Sequence, residues 1–396
     1  MNKLPIVPCG CCETPEPKPG PKPEPKPEPK PDSCCGGPVV ANTARHDAAW
    51  ITGSVDTPVG QIPRVSTTLQ WSDRIGTWKA RWAIGRMRFQ IKPGLYAVGN
   101  PTAESLVMVS ANYKLSFDRL RSQLGGLDAW ILVLDTRGIN VWCAAGKGTF
   151  GTDELVARIE ATGLRDVVTH RTLVVPQLGA PGVAAHEVKK QSGFRVLYGP
   201  VRAEDLPAYL DAGMTASDRM RRVRFPLAER LAVIPVEVVM AAKYVLIIAA
   251  CFLLAGGLGP GGYSWSGVAD VGLWSAALLL GATLLSVILT PALLPWLPGR
   301  ALAIKGTWVG LAILLAVLGH AWYHGGPLGR MFEGSLNLAA WCLLIPASAS
   351  FFAMNFTGAT TYTSLSGVRK EMALAVPLQA CAALAGTVCW LAGRFV

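Results

Sequence analysis

AWILVLDTRGINVWCAAGK, residues 129–147, joins two kinds of chain. AWILVLDT (129–136) is an apolar run of strand length, as expected for a strand buried on both faces. Directly after it, NVWCAAGK (140–147) sets one cysteine between the largest side chain and two of the smallest. Asn140 is a good N-cap residue, so a short helical segment is expected to begin there.

Working outward, four more runs read as strands: LYAVG (95–99), SLVMVSA (105–111), DVVTHRTLVVP (166–176) and FRVLYGP (194–200). Between them SFDRLRSQLGG (116–126), GTDELVARIEATG (151–163), AAHEVKKQSG (184–193) and RAEDLPAYLDAG (202–213) carry helical spacing. Glycines follow the last periodic residue, as at helix C-termini. Strands alternating with helices predict a Rossmann-like α/β domain over 39–225, with a mostly parallel sheet covered on both faces. Ligands of such sheets bind outside the carboxyl ends of the strands, where NVWCAAGK falls.

Beyond this region the composition changes. Five apolar blocks, at about 238–258, 268–289, 301–320, 336–356 and 373–393, each approach the ~20 residues that span a bilayer. They predict an all-α, five-helix transmembrane domain over 226–396. The 396 residues carry a formal charge of +11 and are 51% apolar. The basic residues collect where a membrane topology needs them, above all in RMRRVRFPLAER (219–230) before the first block. No basic stripe interleaved with aromatics appears elsewhere, which argues against a nucleic-acid partner. Arg300, Lys305, Arg369 and Lys370 place the loops after the second and before the fifth block on the same side as the α/β domain. The expectation is a multi-pass inner (cytoplasmic) membrane protein with its N-terminal domain in the cytoplasm and its C-terminus outside. Lys243 can snorkel to that surface. His320 and His324 read as interfacial side chains, with a ligand or pathway role as the alternative.

Residues 1–38 form a third region. ETPEPKPGPKPEPKPEPKPDS (13–33) has proline at nearly every second position, which predicts an extended spacer without helix or sheet. It is bracketed by PCGCC (8–12) and SCCGG (33–37). The N-terminus lacks the apolar core of a secretory signal. Clustered thiols in a reducing compartment suggest metal or redox chemistry more than disulfides. The adjacent pairs Cys11–Cys12 and Cys34–Cys35 are candidate ligands for a soft metal, against a plain reading as a tethered disordered arm with incidental cysteines. Cys251, Cys342, Cys381 and Cys389 lie in apolar blocks and read as small apolar residues.

Three readings compete for NVWCAAGK. A phosphate loop needs a glycine where Val141 stands, and Trp142 and Cys143 crowd its interior. A buried cysteine acting as a small apolar residue is the plain reading. A metal ligand is the third: Ala144 and Ala145 would leave the surface beside the sulfur flat for a large planar group. Trp142 could pack at its edge, Lys147 could attract a peripheral carboxylate or amide, and a thiolate is a soft donor for a late transition metal.

All eight residues of NVWCAAGK fit the pattern N-(V/I)-W-C-A-(A/G)-G-K, and here the chain resembles the HgcA family of mercury-methylating corrinoid proteins. KPGLYAVGNP (92–101), MVSANYKLSFD (108–118), TLVVPQLGAPGVAAHEV (172–188) and YGPVRAEDLPAYL (198–210) are also similar to the corrinoid-binding part of the corrinoid iron–sulfur protein. The resemblance implies a base-off cobalamin or related corrinoid whose cobalt takes Cys143 as lower axial ligand, under a cap helix. Asn140, Val141, Trp142, Ala144, Ala145, Gly146 and Lys147 would shape that cap. Asn112, Tyr113 and the loops around Gly179, Gly182 and Gly199 would be further cofactor contacts. It implies a methyltransferase that passes the methyl group of Cys-ligated methyl-cobalt to Hg(II) in an anaerobic cell, forming methylmercury, with thiolate ligation favouring a carbanion-like methyl. Implied partners are HgcB, a ferredoxin-like protein with two 4Fe–4S clusters, and a methyltetrahydrofolate-dependent methyl donor pathway. The chain has no C-x2-C-x2-C run of its own. Alternatives are a corrinoid methyl carrier of one-carbon metabolism with another acceptor, and a membrane transporter with a soluble sensor domain. Against the transporter, the apolar blocks hold almost no ionisable residue midway across.

Overall fold

The computed structural model describes residues 48–356 and 365–396. Cys11, Cys12, Cys34, Cys35 and the whole proline-rich segment lie outside the described residues.

Seven strands form one sheet: β1 (Ile51–Thr57), β2 (Gly60–Val65), β3 (Gly94–Val98), β4 (Val107–Ala111), β5 (Ala129–Leu134), β6 (Thr172–Val175) and β7 (Arg195–Tyr198). Their order is β1-β2-β3-β5-β4-β6-β7. The run β5-β4-β6-β7 is parallel throughout, while β3 lies antiparallel to β5. The mostly parallel α/β sheet is therefore as expected. Every residue of β3, β4 and β5 is buried. This is why they read as continuous apolar runs and not as alternating ones.

Seven helices surround the sheet: α1 (Trp71–Arg81), α2 (Lys114–Arg121), α3 (Val141–Lys147), α4 (Thr152–Ala161), α5 (Leu164–Val167), α6 (Ala185–Ser192) and α7 (Leu206–Asp211). The pleat sends alternate residues to opposite faces. Leu95, Val109, Leu132 and Leu134 meet Ala144 of α3, Leu155 and Ile159 of α4 and Val188 of α6. Tyr96, Met108, Ile131 and Val133 meet Phe117 of α2 and Leu206 and Tyr209 of α7.

Two sequence expectations change here. The strand over 166–176 shrinks to Thr172–Val175, because Gly163 takes a left-handed φ of 59° and starts α5, which absorbs Asp166 and Val167. His170 then turns into the loop, its Nε2 2.9 Å from the Ser105 carbonyl. The second change is an addition, the β1–β2 hairpin and α1. ITGSVDTPVGQIPRV (51–65) has no buried residue along β1 and mixes Gly, Pro and charge, so it lacks the buried-strand signature.

In the C-terminal part five helices are long and apolar enough to cross a membrane: Leu227–Ala255, Trp265–Leu293, Leu302–His324, Ser335–Asn355 and Arg369–Ala392. By length and composition this is a multi-pass membrane protein. The third and fourth spans touch through small residues: a Cβ on Gly306 would lie 2.5 Å from the Ala349 carbonyl, and one on Gly310 2.6 Å from Pro346 Cα. Close backbone approach of this kind is how membrane helices gain packing without a hydrophobic drive. Arg230 and Lys305, expected as flanking charges, are both buried. Arg230 Nη1 donates to the carbonyls of Pro291 (3.0 Å) and Ala292 (2.5 Å), and Lys305 Nζ to Leu294 (2.9 Å) and Leu297 (2.5 Å). Two cations thus cap the carboxyl end of the second span, where helix carbonyls lack partners. His320 and His324 are exposed, their rings 4.6 Å apart.

Candidate functional site

The chain leaves β5 at Leu134 and turns through Asp135–Ile139 before entering α3. Asn112, at the end of β4 and 3% exposed, organises that turn. Its Oδ1 accepts from the Thr136 amide (3.1 Å), the Thr136 hydroxyl (2.8 Å) and the Gly138 amide (2.9 Å). Its Nδ2 donates to Asp135 Oδ1 at 3.1 Å. Arg137 and Gly138 both take positive φ, 55° and 71°, so the turn is tight. Asp135 is tied onward, its amide donating to Glu154 Oε1 of α4 at 2.7 Å.

The helix that follows is short and capped at both ends. Asn140 Oδ1 accepts from the Cys143 amide at 2.9 Å, which satisfies a donor at the first turn. Gly148 ends it at φ 82°, and the amides of Thr149 (3.0 Å) and Phe150 (3.2 Å) return to the Ala144 carbonyl. Helical spacing then decides what faces where. Val141, Ala144 and Ala145 are buried, Trp142 and Cys143 are half-buried, and Gly146 and Lys147 are exposed. The alanines therefore clear room beneath the helix and not beside the sulfur. A Cβ on Gly182 would stand 3.1 Å from Ala145 Cα and 2.2 Å from the Phe150 carbonyl, so helix and loop meet at backbone distance. The surface next to the thiol is left low by Gly146.

Beside this helix lies a cavity of about 380 Å³ at the carboxyl ends of β4, β6 and β7. Asn140, Val141 and Trp142 form one wall, Leu178 and Gly199 another, and Val223–Phe225 a third. Met108, Val109, Leu115, Val174 and Leu206 make the interior mainly apolar, with Ser110 and Ser116 as polar points. At the rim Arg119 pairs with Glu204 at 2.6 Å, and Arg202 pairs with Glu229 at the start of the first span. This is where an open α/β sheet offers its ligand site.

The other expected contacts are distributed unevenly. Gly199 reaches the cavity. Gly179 packs under Phe150, where a Cβ would come within 2.5 Å of the ring, and supports α3 from behind together with Gly182. Asn112 spends its amide on the turn. Tyr113 is buried against Phe89, with the Arg86 guanidinium 5.6 Å from its ring centre. Burial raises its phenol above the ordinary range, more than the nearby Arg86 and Arg81 lower it. Among the described residues no group of three or more His, Cys, Asp or Glu gathers. Thr136, Glu154, Arg202 and Glu229 lie in stretches the sequence marked, but their roles were not anticipated, since each acts through a partner distant in sequence.

Residues 82–210 match the family model described as the CO dehydrogenase/acetyl-CoA synthase delta subunit. Curated relatives point the same way. The chain is similar to the acetyl-CoA decarbonylase/synthase complex subunit gamma of Methanopyrus kandleri, 32% identical over 124 residues, 31% of this chain and 26% of the relative. The same subunit of Archaeoglobus fulgidus is 32% identical over 128 residues, 32% of this chain and 27% of the relative. Subunit gamma 2 of Methanosarcina mazei is 33% identical over 121 residues, 30% of this chain and 25% of the relative. The chain thus spans about a quarter of the length of these relatives. The matched residues take in α3, the four parallel strands and most of the cavity.

Proposed function

We propose that the α/β domain, residues 39–225, binds a corrinoid at the carboxyl edge of its sheet with Cys143 as the axial cobalt ligand. We further propose that the chain transfers a methyl group to Hg(II) as substrate. The observation that carries this reading is a half-buried thiol on a doubly capped helix, beside a mainly apolar cavity at the ends of parallel strands. The similarity to acetyl-CoA decarbonylase/synthase subunits supports the corrinoid, and the full match of NVWCAAGK supports mercury as acceptor.

The residues present fit such a group. A thiolate is a soft donor suited to cobalt, and Gly146 keeps the surface beside it low. The cavity walled by Val141, Trp142, Leu178 and Gly199 suits the nucleotide arm of a base-off corrinoid. When bound, the cofactor supplies a transferable methyl group and the redox chemistry of cobalt. The chain's own part is positional. Asn140 holds the Cys143 amide, and through it the thiol, in one place. Asn112 fixes the turn that presents α3, and Gly182 lets the helix seat. Lys147, exposed at the last turn, offers a cation to amides or carboxylates at the ring's edge.

In this reading the α/β domain is cytoplasmic, which the basic residues at 219–224, Arg300, Arg369 and Lys370 support. Residues 226–396 then anchor it, a ferredoxin-like partner of the HgcB type supplies low-potential electrons, and a methyltetrahydrofolate-dependent pathway supplies methyl. Cys11–Cys12 and Cys34–Cys35 capture mercury in this reading.

The test uses the full-length chain in detergent, loaded with methylcobalamin under anaerobic conditions. The expected result is an absorption shift that disappears in Cys143→Ala while binding of the pigment persists. Methylmercury formation in an anaerobic host should fall to background in Cys143→Ala and Cys143→Thr. Wild-type spectra and rates in both variants refute the ligand assignment. A second reading, a methyl carrier with a cellular acceptor, draws on the relatives' place in acetyl-CoA decarbonylase/synthase complexes. Faster methyl transfer to a cellular thiol than to Hg(II) decides for it.

A further inference from the structure

Helix α1 carries a feature with no part in the site above. Asp73, Gly76, Thr77 and Ala80 turn one face toward the domain, where Asp73 meets Lys114 and Arg121. The opposite face bears Trp71, Ile75, Trp78 and Trp82, spaced i, i+4, i+7, i+11, as an amphipathic helix spaces its buried side. Here that side faces out: Trp71 is 73% exposed and Trp78 60%. Ile84 and Met87 continue the stripe past the helix end, Met87 at 66% exposure. Arg74, Lys79, Arg81, Arg86 and Arg88 flank it. A contiguous exposed apolar stripe on a folded domain marks a surface that is covered in use.

Two observations indicate what covers it. The chemistry is indole and aliphatic side chains between arginines and lysines, the composition of helices that lie in the headgroup region of a bilayer. The setting agrees, because the same chain carries helices long and apolar enough to cross a membrane, the first of them beginning at Leu227 just after the α/β domain, so that domain is tethered at a bilayer surface.

We propose that Trp71–Arg88 is an interfacial membrane anchor that seats the α/β domain on anionic lipid headgroups beside the first span. The seat continues into the site. A Cβ on Gly138 would come within 3.3 Å of the Met87 carbonyl and 3.0 Å of Gln90 Oε1. The turn before α3 thus rests on the end of the anchor, and the cap helix takes a fixed orientation to the bilayer. Nothing in this inference depends on a corrinoid or on mercury.

The experiment uses the full chain labelled with 5-fluorotryptophan in nanodiscs of phosphatidylcholine and phosphatidylglycerol, with Trp71→Phe and Trp78→Phe assigning the two resonances. Doxyl-labelled lipid should remove the intensity of both lines, and a soluble gadolinium chelate should leave it. Loss to the chelate, or protection from both agents as under a protein partner or second copy, overturns the anchor. In the triple variant R74E/K79E/R88E the loss to doxyl lipid should disappear. If it persists unchanged, anionic headgroups are not what the stripe meets.

Discussion

The Asn140 side chain accepts a hydrogen bond from the Cys143 amide, and the placement of the thiol depends on it. Asn140→Ala removes the cap and should cost about 1 kcal/mol of stability, while Asn140→Asp, which still accepts, should cost little. Chemical denaturation checks the energy. Because α3 has only seven residues, the same loss should loosen the thiol, raising its alkylation rate in Asn140→Ala and not in Asn140→Asp. Asn112 differs from it in depth. It is buried and serves three donors of the turn, so Asn112→Leu takes the acceptor from the Thr136 and Gly138 amides, while the Thr136 hydroxyl keeps the Ile139 carbonyl at 2.6 Å. A cost of about 1–3 kcal/mol is expected. The cap was legible in the sequence, since Asn before a helical run is a local signal. The clamp was not, since Asn112 and Thr136 meet only when β4 and β5 pair.

At the level of elements, α1 is stapled to α2 by charge. Arg121, fully buried, donates to Asp73 Oδ2 at 2.7 Å and to Asp118 Oδ1 at 2.8 Å, and Lys114 joins both carboxylates at 2.6 and 2.7 Å. Burial alone would raise the Asp73 carboxyl, but Lys114, the Gln70 amide and Arg121 outweigh it and hold it below the ordinary carboxylate range. A group lowered on folding contributes stability that is complete above its unfolded pKa and is lost as pH falls through its folded one. Hydrogen-exchange protection of the α1 amides should therefore be level near neutrality and fall only once pH drops below the usual carboxylate range. Asp73→Ala leaves Arg121 half-paired in the interior and should cost about 3–5 kcal/mol. In the membrane part Gly310 admits Pro346 to backbone distance. Gly310→Leu should separate the third and fourth spans and lower the thermal midpoint in detergent, whereas Gly319→Leu, at an open position, should leave it unchanged.

Across the whole molecule, what was readable from sequence was what repeats locally. The central strands announced themselves as apolar runs because both faces are buried, and the five spans because each keeps a long window of high hydropathy with few charges. The hairpin Ile51–Val65 was missed because no residue of its outer strand is buried, so no apolar periodicity marks it. The expectation that no basic stripe interleaved with aromatics lies outside 219–230 was wrong: α1 carries one, with Trp71, Trp78 and Trp82 among Arg74, Lys79 and Arg81, and it escaped because amphipathic spacing does not say which side meets the core. The cavity was out of reach for another reason: its walls come from segments more than a hundred residues apart. The motif helix, by contrast, lies at a strand's carboxyl end as expected, though its alanines turned inward.

One wall of that cavity is Val223–Phe225, the strip of chain leading into the first span, held by the Arg202–Glu229 pair. The tether is thereby also masonry. Cutting the chain after residue 222 should spare the sheet and its far-ultraviolet signature, yet unroof the chamber on that flank. Whatever small molecule occupies it should then escape faster from the clipped head than from the intact protein, a difference that stopped-flow release would read directly. A soluble fragment is in that sense a leakier vessel than its parent, and the bilayer half contributes to retention as well as to address.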